Sequence, residues 1–428
     1  MSDSKKPFGS SFSEPLGVSD KPISAWPAIF ALGGIVSLRM MGLFMVLPVL
    51  ILHAPNYAGY TPILAGVAIG IHGLAQGLAQ VPMGFLSDRI GRKPVIALGL
   101  VVFALGSVVA ASADQLWTVI AGRALQGAGA VAAAAMAFAS DLSHESHRSR
   151  AMAIIGAGIG ISFMLSLVLG PLVAGISGLA GVFWLCALLA LLALFLLFFA
   201  HPVAPASSES PDRLEPAIGS TRGSSPKGPA GEIAKVLGDR QMMTLCIGIF
   251  VVHAIMTAAF VSLPIAIEKV GLIDPAKHWG VYASTLTLSL IPAAWMILVS
   301  DRGRRGREVV IAAGLILSIA LAGLAVAQGA VALMVFLVVF FVGFNTLEAC
   351  LPAMMSQAAP GRSKGACLGV FTALQCFGIF VGGLAGGGLL GLAGAQSVFA
   401  PGAALLAGWA LLALGLRSPP PSGEGAAR

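Results

Sequence analysis

Twelve stretches of roughly twenty or more predominantly apolar residues follow one another along this chain, near 27–52, 62–87, 94–112, 115–140, 150–175, 181–200, 241–268, 279–300, 309–327, 330–356, 364–391 and 396–416. A helix of ~20 residues, rising ~1.5 Å per residue, crosses the ~30 Å hydrocarbon core of a bilayer. The stretches are too long for the strands of an outer-membrane barrel, and no period-two alternation of polar and apolar residues runs through them. Composition agrees: 10% of the 428 residues are charged and 57% are hydrophobic, before 54 glycines are counted. An ordinary soluble domain carries ~25% charge, and so few charges cannot cover a soluble surface of this size. A soluble enzyme, a nucleic-acid binder and a disordered chain are thereby excluded. The fold expected is an all-α membrane protein of twelve transmembrane helices.

Basic residues orient the helices, because short cytoplasmic loops collect Lys and Arg. Lys5, Lys6 and Lys21 precede span one, and Arg89, Arg92 and Lys93 follow span two. The same side receives Arg148 and Arg150, then Arg213 to Arg240, Arg302 to Arg307, Arg362 and Lys364, and finally Arg417 and Arg428. Lys269 and Lys277 alone lie on the opposite side, and Arg39 and Arg123 fall inside spans. Both termini are expected in the cytoplasm, in the cytoplasmic (inner) membrane, with no removable signal peptide. The net charge of +7 is this topology signal, so no nucleic-acid partner follows from it. The five cysteines all fall in apolar spans without CxxC spacing, which predicts unpaired packing thiols, no metal site and no cofactor.

Residues 201–230 hold six prolines among Ser and Gly, a linker composition. The expected organisation is a tail (1–26), a six-helix bundle (27–200), a cytoplasmic linker (201–240) in which 231–240 can form a short surface helix, a second bundle (241–416) and a tail (417–428). The two bundles resemble each other. Ser87-Asp88-Arg89 ends span two and Ser300-Asp301-Arg302 ends span eight; GRKPVIALGL from Gly91 matches GREVVIAAGL from Gly306 at seven of ten positions. Arg148-Ser149-Arg150 and Arg362-Ser363-Lys364 repeat at a similar separation. Two six-helix pseudo-repeats are transporter architecture, with the substrate site between them near the midplane.

The loop after span two reads Gly84-Phe85-Leu86-Ser87-Asp88-Arg89-Ile90-Gly91-Arg92-Lys93-Pro94. Gly84 permits a close helix approach. Asp88 sits at a helix C-terminus, where the dipole disfavours a carboxylate, so it needs Arg92 or a neighbouring helix N-terminus. This loop resembles the signature of the major facilitator superfamily. The resemblance implies a conformational latch of Gly84, Asp88, Arg89, Gly91, Arg92 and Asp141, closed by the start of span eleven. Arg123-Ala-Leu-Gln126-Gly127-Ala-Gly129 on span four resembles a motif of the proton-coupled branches, and Gly170-Pro171-Leu-Val-Ala174-Gly175 on span five partly matches the antiporter motif, with Ser166 and Ala157 where glycines are usual. SLRMMGLFMVLPVL, GRALQGAGA and FNTLEACLPA resemble the YajR-type drug–proton antiporters, a group with an added soluble C-terminal domain. Arg428 falls just after span twelve, so no such domain is expected.

Ionisable groups at membrane depth are costly and are functional by default. Glu348 is the one acid well inside a span, roughly 13 Å from the cytoplasmic end of span ten. A carboxyl alternating between dry and wet surroundings takes up and releases a proton. Arg123 cannot be deprotonated; the resemblance gives it a gating or relay role beside Glu348. Arg39 is placed among the cavity candidates with His72, Gln76, Gln126, His253, Asn345 and Gln375, several of which recur at helical spacing on one face. Either arginine could instead pair with Glu348. Met40, Met41 and Met45 read as core packing.

The expected function is secondary active transport by alternating access: proton-driven export of small apolar or cationic compounds by a monomer, with substrate, protons and membrane lipid as partners. One alternative is an organic-anion or phosphorylated-solute exchanger that uses Arg39 and Arg123. Another is a membrane receptor or scaffold that transports nothing. An enzyme is not expected, since HExxH, GxSxG and paired midplane carboxylates are absent.

Overall fold

The computed structural model describes residues 26–143, 147–199, 236–271, 273–302, 305–360 and 364–417. The tails and nearly all of the linker lie outside the described residues. Among the described residues there are twelve membrane helices. They are α1 (Trp26–Met45), α2 (Pro62–Ile90), α3 (Arg92–Ala111), α4 in two pieces (Leu116–Ala128 and Ala132–Leu142), α5 (148–177), α6 (179–199), α7 (Arg240–Lys269), α8 (His278–Arg302), α9 (Gly306–Val326), α10 (Gly329–Ala358), α11 (Lys364–Ala393) and α12 (Phe399–Ala413). By length and hydropathy these make eleven continuous candidate spans, since α5 and α6 run on as one 50-residue stretch. Gly178, at φ 66° and ψ −170°, breaks that stretch and makes twelve crossings.

Local chemistry explains the ends. Thr61 caps α2 by accepting from the Leu64 amide, with Pro62 at the first helical position. Asp239 caps α7 through the Met242 amide. Gly91 alone separates α2 from α3; its φ of 97° turns the chain in one residue, which a side chain would resist. Gly91 therefore has a backbone role in the turn. The break in α4 at residues 129–131 lies just past Arg123 and Gln126, and discontinuous membrane helices of this kind line binding sites in transporters.

The helices form two six-helix bundles whose cores differ in a way that fixes the conformation. One hydrophobic core runs through both bundles: it joins Leu43, Ile69, Phe103 and Phe183 to Phe260, Leu317, Phe341 and Trp409. A second core, with Leu32, Val36, Ile96, Phe138, Ile155 and Leu197, belongs to the first bundle alone and lies toward the loop that bears Asp88. The bundles thus share packing at the Pro62 end and part at the Asp88 end.

The seam at the Pro62 end is made by glycines. A Cβ at Gly66 would stand 2.1 Å from the Gly383 carbonyl, at Gly70 2.9 Å from the Ile379 carbonyl, and at Gly73 2.7 Å from the Cys376 carbonyl. Backbones of α2 and α11 touch there with no room for a side chain. Further along, a Cβ at Gly84, Gly365 or Gly369 would meet nothing within 4 Å, and Leu78, Val81 and Phe85 are exposed. The close approach expected at Gly84 is not made in this state, because α2 and α11 have diverged.

Candidate functional site

Two polar clusters lie at mid-depth, one in each bundle. In the second bundle, His253 of α7, Glu348 of α10 and Gln375 of α11 converge. His253 Nε2 lies 3.4 Å from Glu348 Oε2 and 2.8 Å from Gln375 Nε2, and Gln375 Nε2 is 3.5 Å from Glu348 Oε1. His253 Nδ1 faces the Ile249 carbonyl at 3.1 Å. That carbonyl can only accept, so Nδ1 carries a proton and Nε2 is the nitrogen that faces Glu348 and Gln375. With Nε2 bare, its lone pair faces carboxylate oxygen Oε2, which is buried and has no hydrogen-bond donor among the described residues. One proton placed between them removes that repulsion. The Glu348 side chain as a whole is 40% exposed against 5% for His253, so the acid reaches into the opening between the bundles. Phe344, one turn from Glu348 on the side toward the Pro62 end, meets Phe163 across the bundles with ring centroids 5.8 Å apart.

In the first bundle Arg123 is fully buried. It donates to Gln126 Oε1 at 2.8 Å and to the Ala68 and Ile69 carbonyls at 3.3 and 3.4 Å, and its Nη2 lies 2.8 Å from His72 Nδ1. Gln126 in turn donates to Ser107 Oγ at 2.8 Å. Gly127 makes the cluster possible: a Cβ there would stand 2.2 Å from the His72 carbonyl. Arg123 can only donate, so its bond to His72 requires a bare Nδ1; the same Nδ1 lies 2.8 Å from the Ile69 carbonyl, to which it can only donate. The two bonds exclude each other. Arg123→Leu is expected to strand the Gln126 Oε1 acceptor, at about 1–3 kcal/mol, while the two carbonyls keep their helix bonds, and thermal unfolding in detergent measures the loss.

Arg39 is buried without a carboxylate. Its Nη2 donates to Gln76 Oε1 at 3.0 Å, its guanidinium lies 5.7 Å from the Phe103 ring centroid, and Nε has no partner among the described residues. Gln76 reaches Cys376 Sγ of α11 at 3.8 Å, so this group spans the glycine seam. Glu348 pairs with His253, and neither arginine forms an ion pair with it. Asn345 is half-buried one turn from Glu348 and makes no side-chain hydrogen bond among the described residues.

At the Asp88 end, Arg92 Nη1 bonds Asp88 Oδ1 and Ser87 Oγ, and Nε bonds Asp141 Oδ2 at 3.0 Å. Of the two partners the sequence offers Asp88, Arg92 is the one bonded in this structure, while α11 stands apart. Arg89 is exposed and joins no ion pair among the described residues. Both carboxylates are more than half exposed, so Arg92→Gln is expected to change stability by less than ~1 kcal/mol in the same unfolding assay.

The sequence reading missed Ser107, Cys376 and the seam glycines. The glycines recur on α2 at 66, 70, 73 and 77, a helical spacing that marks one face but does not name its partner.

Two pseudo-repeated six-helix bundles, tight at one end, open at the other and lined at mid-depth by polar clusters, define a multi-pass membrane transporter of the secondary type. The model of the Major Facilitator Superfamily matches residues 29–382, and the chain belongs to that family. It is 39% identical over 394 residues to the inner membrane transport protein YajR of Escherichia coli strain K12, covering 92% of this chain and 84% of that protein. A tetracycline resistance protein, class C, of Escherichia coli is 31% identical over 157 residues, 35% of this chain and 39% of that one. Among solved structures, a bacterial homologue of the human lysosomal transporter Spinster, in an inward-facing and unoccupied conformation, superposes with a TM-score of 0.66 at 12% identity over 91% of this chain and 95% of that one. The human organic anion transporter MFSD10 gives 0.62 at 18% identity over 91% and 100%. These two show the same fold.

Proposed function

We propose that this transporter is a proton-driven exporter of small apolar or cationic compounds in the cytoplasmic membrane, acting as a monomer with both termini in the cytoplasm. The bundles at 27–200 and 241–416 rock about the mid-depth clusters, joined by the linker at 201–240. The observation that carries the reading is the His253–Glu348–Gln375 group: a carboxylate and an imidazole nitrogen set to share one proton, at the edge of the opening between bundles.

The steps follow from this geometry. With the basic Asp88 end facing the cytoplasm, the conformation described is open inward. Glu348 gives up its proton to cytoplasmic water, and the vacated carboxylate attracts a cationic substrate. Gln375 fits both protonation states, since its amide nitrogen donates to a bare Nε2 and its oxygen accepts from a protonated one. Reorientation exposes the loaded site outward, where a proton displaces the substrate. Arg92, Asp88 and Asp141 hold the latch open in this state; in the other they meet the start of α11. Similarity to a tetracycline resistance protein over a third of the chain supports export as the direction.

The test is transport into proteoliposomes with an acid interior and an entrapped pH dye. Apolar cations are expected to dissipate the gradient as they enter. A second reading, anion exchange, rests on Arg39, which is fully buried with no carboxylate partner among the described residues. Movement of labelled organic anions without proton flux would replace the first reading with the second.

A further inference from the structure

Buried polar groups in the second bundle continue from the His253–Glu348 pair to the far end of the membrane. On α8, His278, Tyr282, Thr285 and Ser289 recur at i, i+4, i+7 and i+11, one helical face, and all four are fully buried. The opposite face is apolar and outward, with Leu288, Ile291 and Trp295 exposed. The file is ~16 Å long, about half the hydrocarbon thickness. At Tyr282 the file reaches α7: the Tyr282 and Phe260 ring centroids are 6.2 Å apart. Phe260 lies one turn from Thr257 on α7, and Thr257 lies one turn from His253.

Thr285 and Ser289 donate to carbonyls of their own helix, a common fate of hydroxyls in membrane helices that by itself means little. The other members are different. Tyr282 Oη, Thr257 Oγ1 and His278 Nδ1 are buried and have no hydrogen-bond partner among the described residues. His278 Nε2 is used on the Ile273 carbonyl at 3.2 Å, which leaves Nδ1 as an unused acceptor. Three of the seven buried side-chain atoms left without a partner among the described residues belong to this file and its α7 neighbour, and such groups call for internal water.

The pseudo-repeat supplies a control. In the register that aligns Ser87-Asp88-Arg89 with Ser300-Asp301-Arg302, Thr285 and Ser289 correspond to His72 and Gln76, whereas His278 and Tyr282 correspond to Ala65 and Ile69. Ala65 and Ile69 are fully buried and apolar. The fold therefore does not require polar residues at these two positions; only the half that holds Glu348 extends its polar stripe to the surface. The exposed carboxylates of Glu268 and Asp274 act on His278 at that mouth, opposite the Asp88 end.

We propose that His278, Tyr282, Thr285, Ser289 and Thr257, bridged by water, form a proton path from the outer face to His253 and Glu348, separate from the substrate route. It would stay continuous while the glycine seam of α2 and α11 holds the outer face shut to larger solutes. The proposal rests on the proton-coupled reading above. No bond other than those to the hopping proton changes along the path: each oxygen or nitrogen receives one proton and passes one on.

The experiment compares two rates in proteoliposomes, transport driven by a pH gradient and substrate exchange at equal pH. In Tyr282→Phe/Thr257→Val the gradient-driven rate is expected to fall at least tenfold while exchange keeps its wild-type rate, and Thr257→Ser in place of Val restores most of the loss. Exchange at the wild-type rate also reports that the variant is folded; should the double variant not fold, Tyr282→Phe alone decides by the same ratio. If Glu348→Gln abolishes gradient-driven transport and the path variant does not slow it, or if both rates fall together, the path is wrong and the coupling reading stands. If wild-type protein moves no protons with any substrate, the coupling reading fails and the path falls with it.

Discussion

Glu348→Gln is expected to uncouple the transporter. The amide has nearly the shape of the carboxyl but no proton to exchange, so His253 Nε2 would face a group that cannot share one. Proton transfer by a positioned group is worth on the order of 100-fold or more in rate, and gradient-driven transport should fall by about that factor. Exchange of substrate at equal pH should persist within a few-fold, because the amide keeps the packing against Gln375. His253→Gln should act in the same direction with a smaller effect, since Glu348 still reaches the opening between the bundles. Gradient-driven transport at the wild-type rate in Glu348→Gln would remove the acid from the mechanism and leave anion exchange through Arg39 as the better account.

The second large effect is expected at the glycine seam. In Gly70→Val the new Cβ would lie 2.9 Å from the Ile379 carbonyl and 3.0 Å from that of Phe380. These are backbone atoms and cannot swing away. Overpacking of this kind costs about 1–3 kcal/mol, and it is felt only in the conformation that closes the Pro62 end. At ~1.4 kcal/mol per tenfold, the balance should move roughly tenfold to hundredfold toward the conformation open at that end. Cys376, buried at 2% exposure against Gly73 and Gly77, is the reporter. In a background lacking the other four cysteines, an impermeant maleimide added outside should label Cys376 much faster in Gly70→Val than in wild type. On the proposed latch, Gly84→Val should shift labelling the opposite way, because Gly84 is open here and would join the α11 contact in the other state. Equal labelling in all three proteins would mean that the seam does not govern access.

Much of the fold was legible in the sequence for a local reason. In lipid a backbone must satisfy its hydrogen bonds within its own segment, so each span is a property of ~20 consecutive residues. The helix bounds read from apolar runs differ from the structure mainly at span one, where α1 ends at Met45 and the chain turns at 46–49 before a short helix at Leu50–His53, at α4, where the chain breaks at 129–131, and at α12, which starts at Phe399 after a short 3-10 turn. Pro48 stands in the first of these breaks, while the other two have no proline at the break itself. The Arg92 pairing to Asp88 was legible as one of two options, because the two residues are four apart across the Gly91 turn.

The site was legible only as a list of polar residues at membrane depth. Glu348, His253 and Gln375 stand on three helices, and no spacing along the chain says that they meet. Arg123 and Glu348, which sequence reasoning placed together in proton coupling, belong to separate clusters with separate partners. The α2 glycines were visible as a stripe, yet their meaning came from the α11 carbonyls that they admit. In a bilayer, helix association is decided by fit between surfaces far apart in sequence rather than by removal of apolar area from water. The chain by itself therefore determined how many times it crosses the membrane, how its charges are distributed and which family signature it carries. Tertiary packing alone decided which titratable groups meet and which end of the transporter is shut.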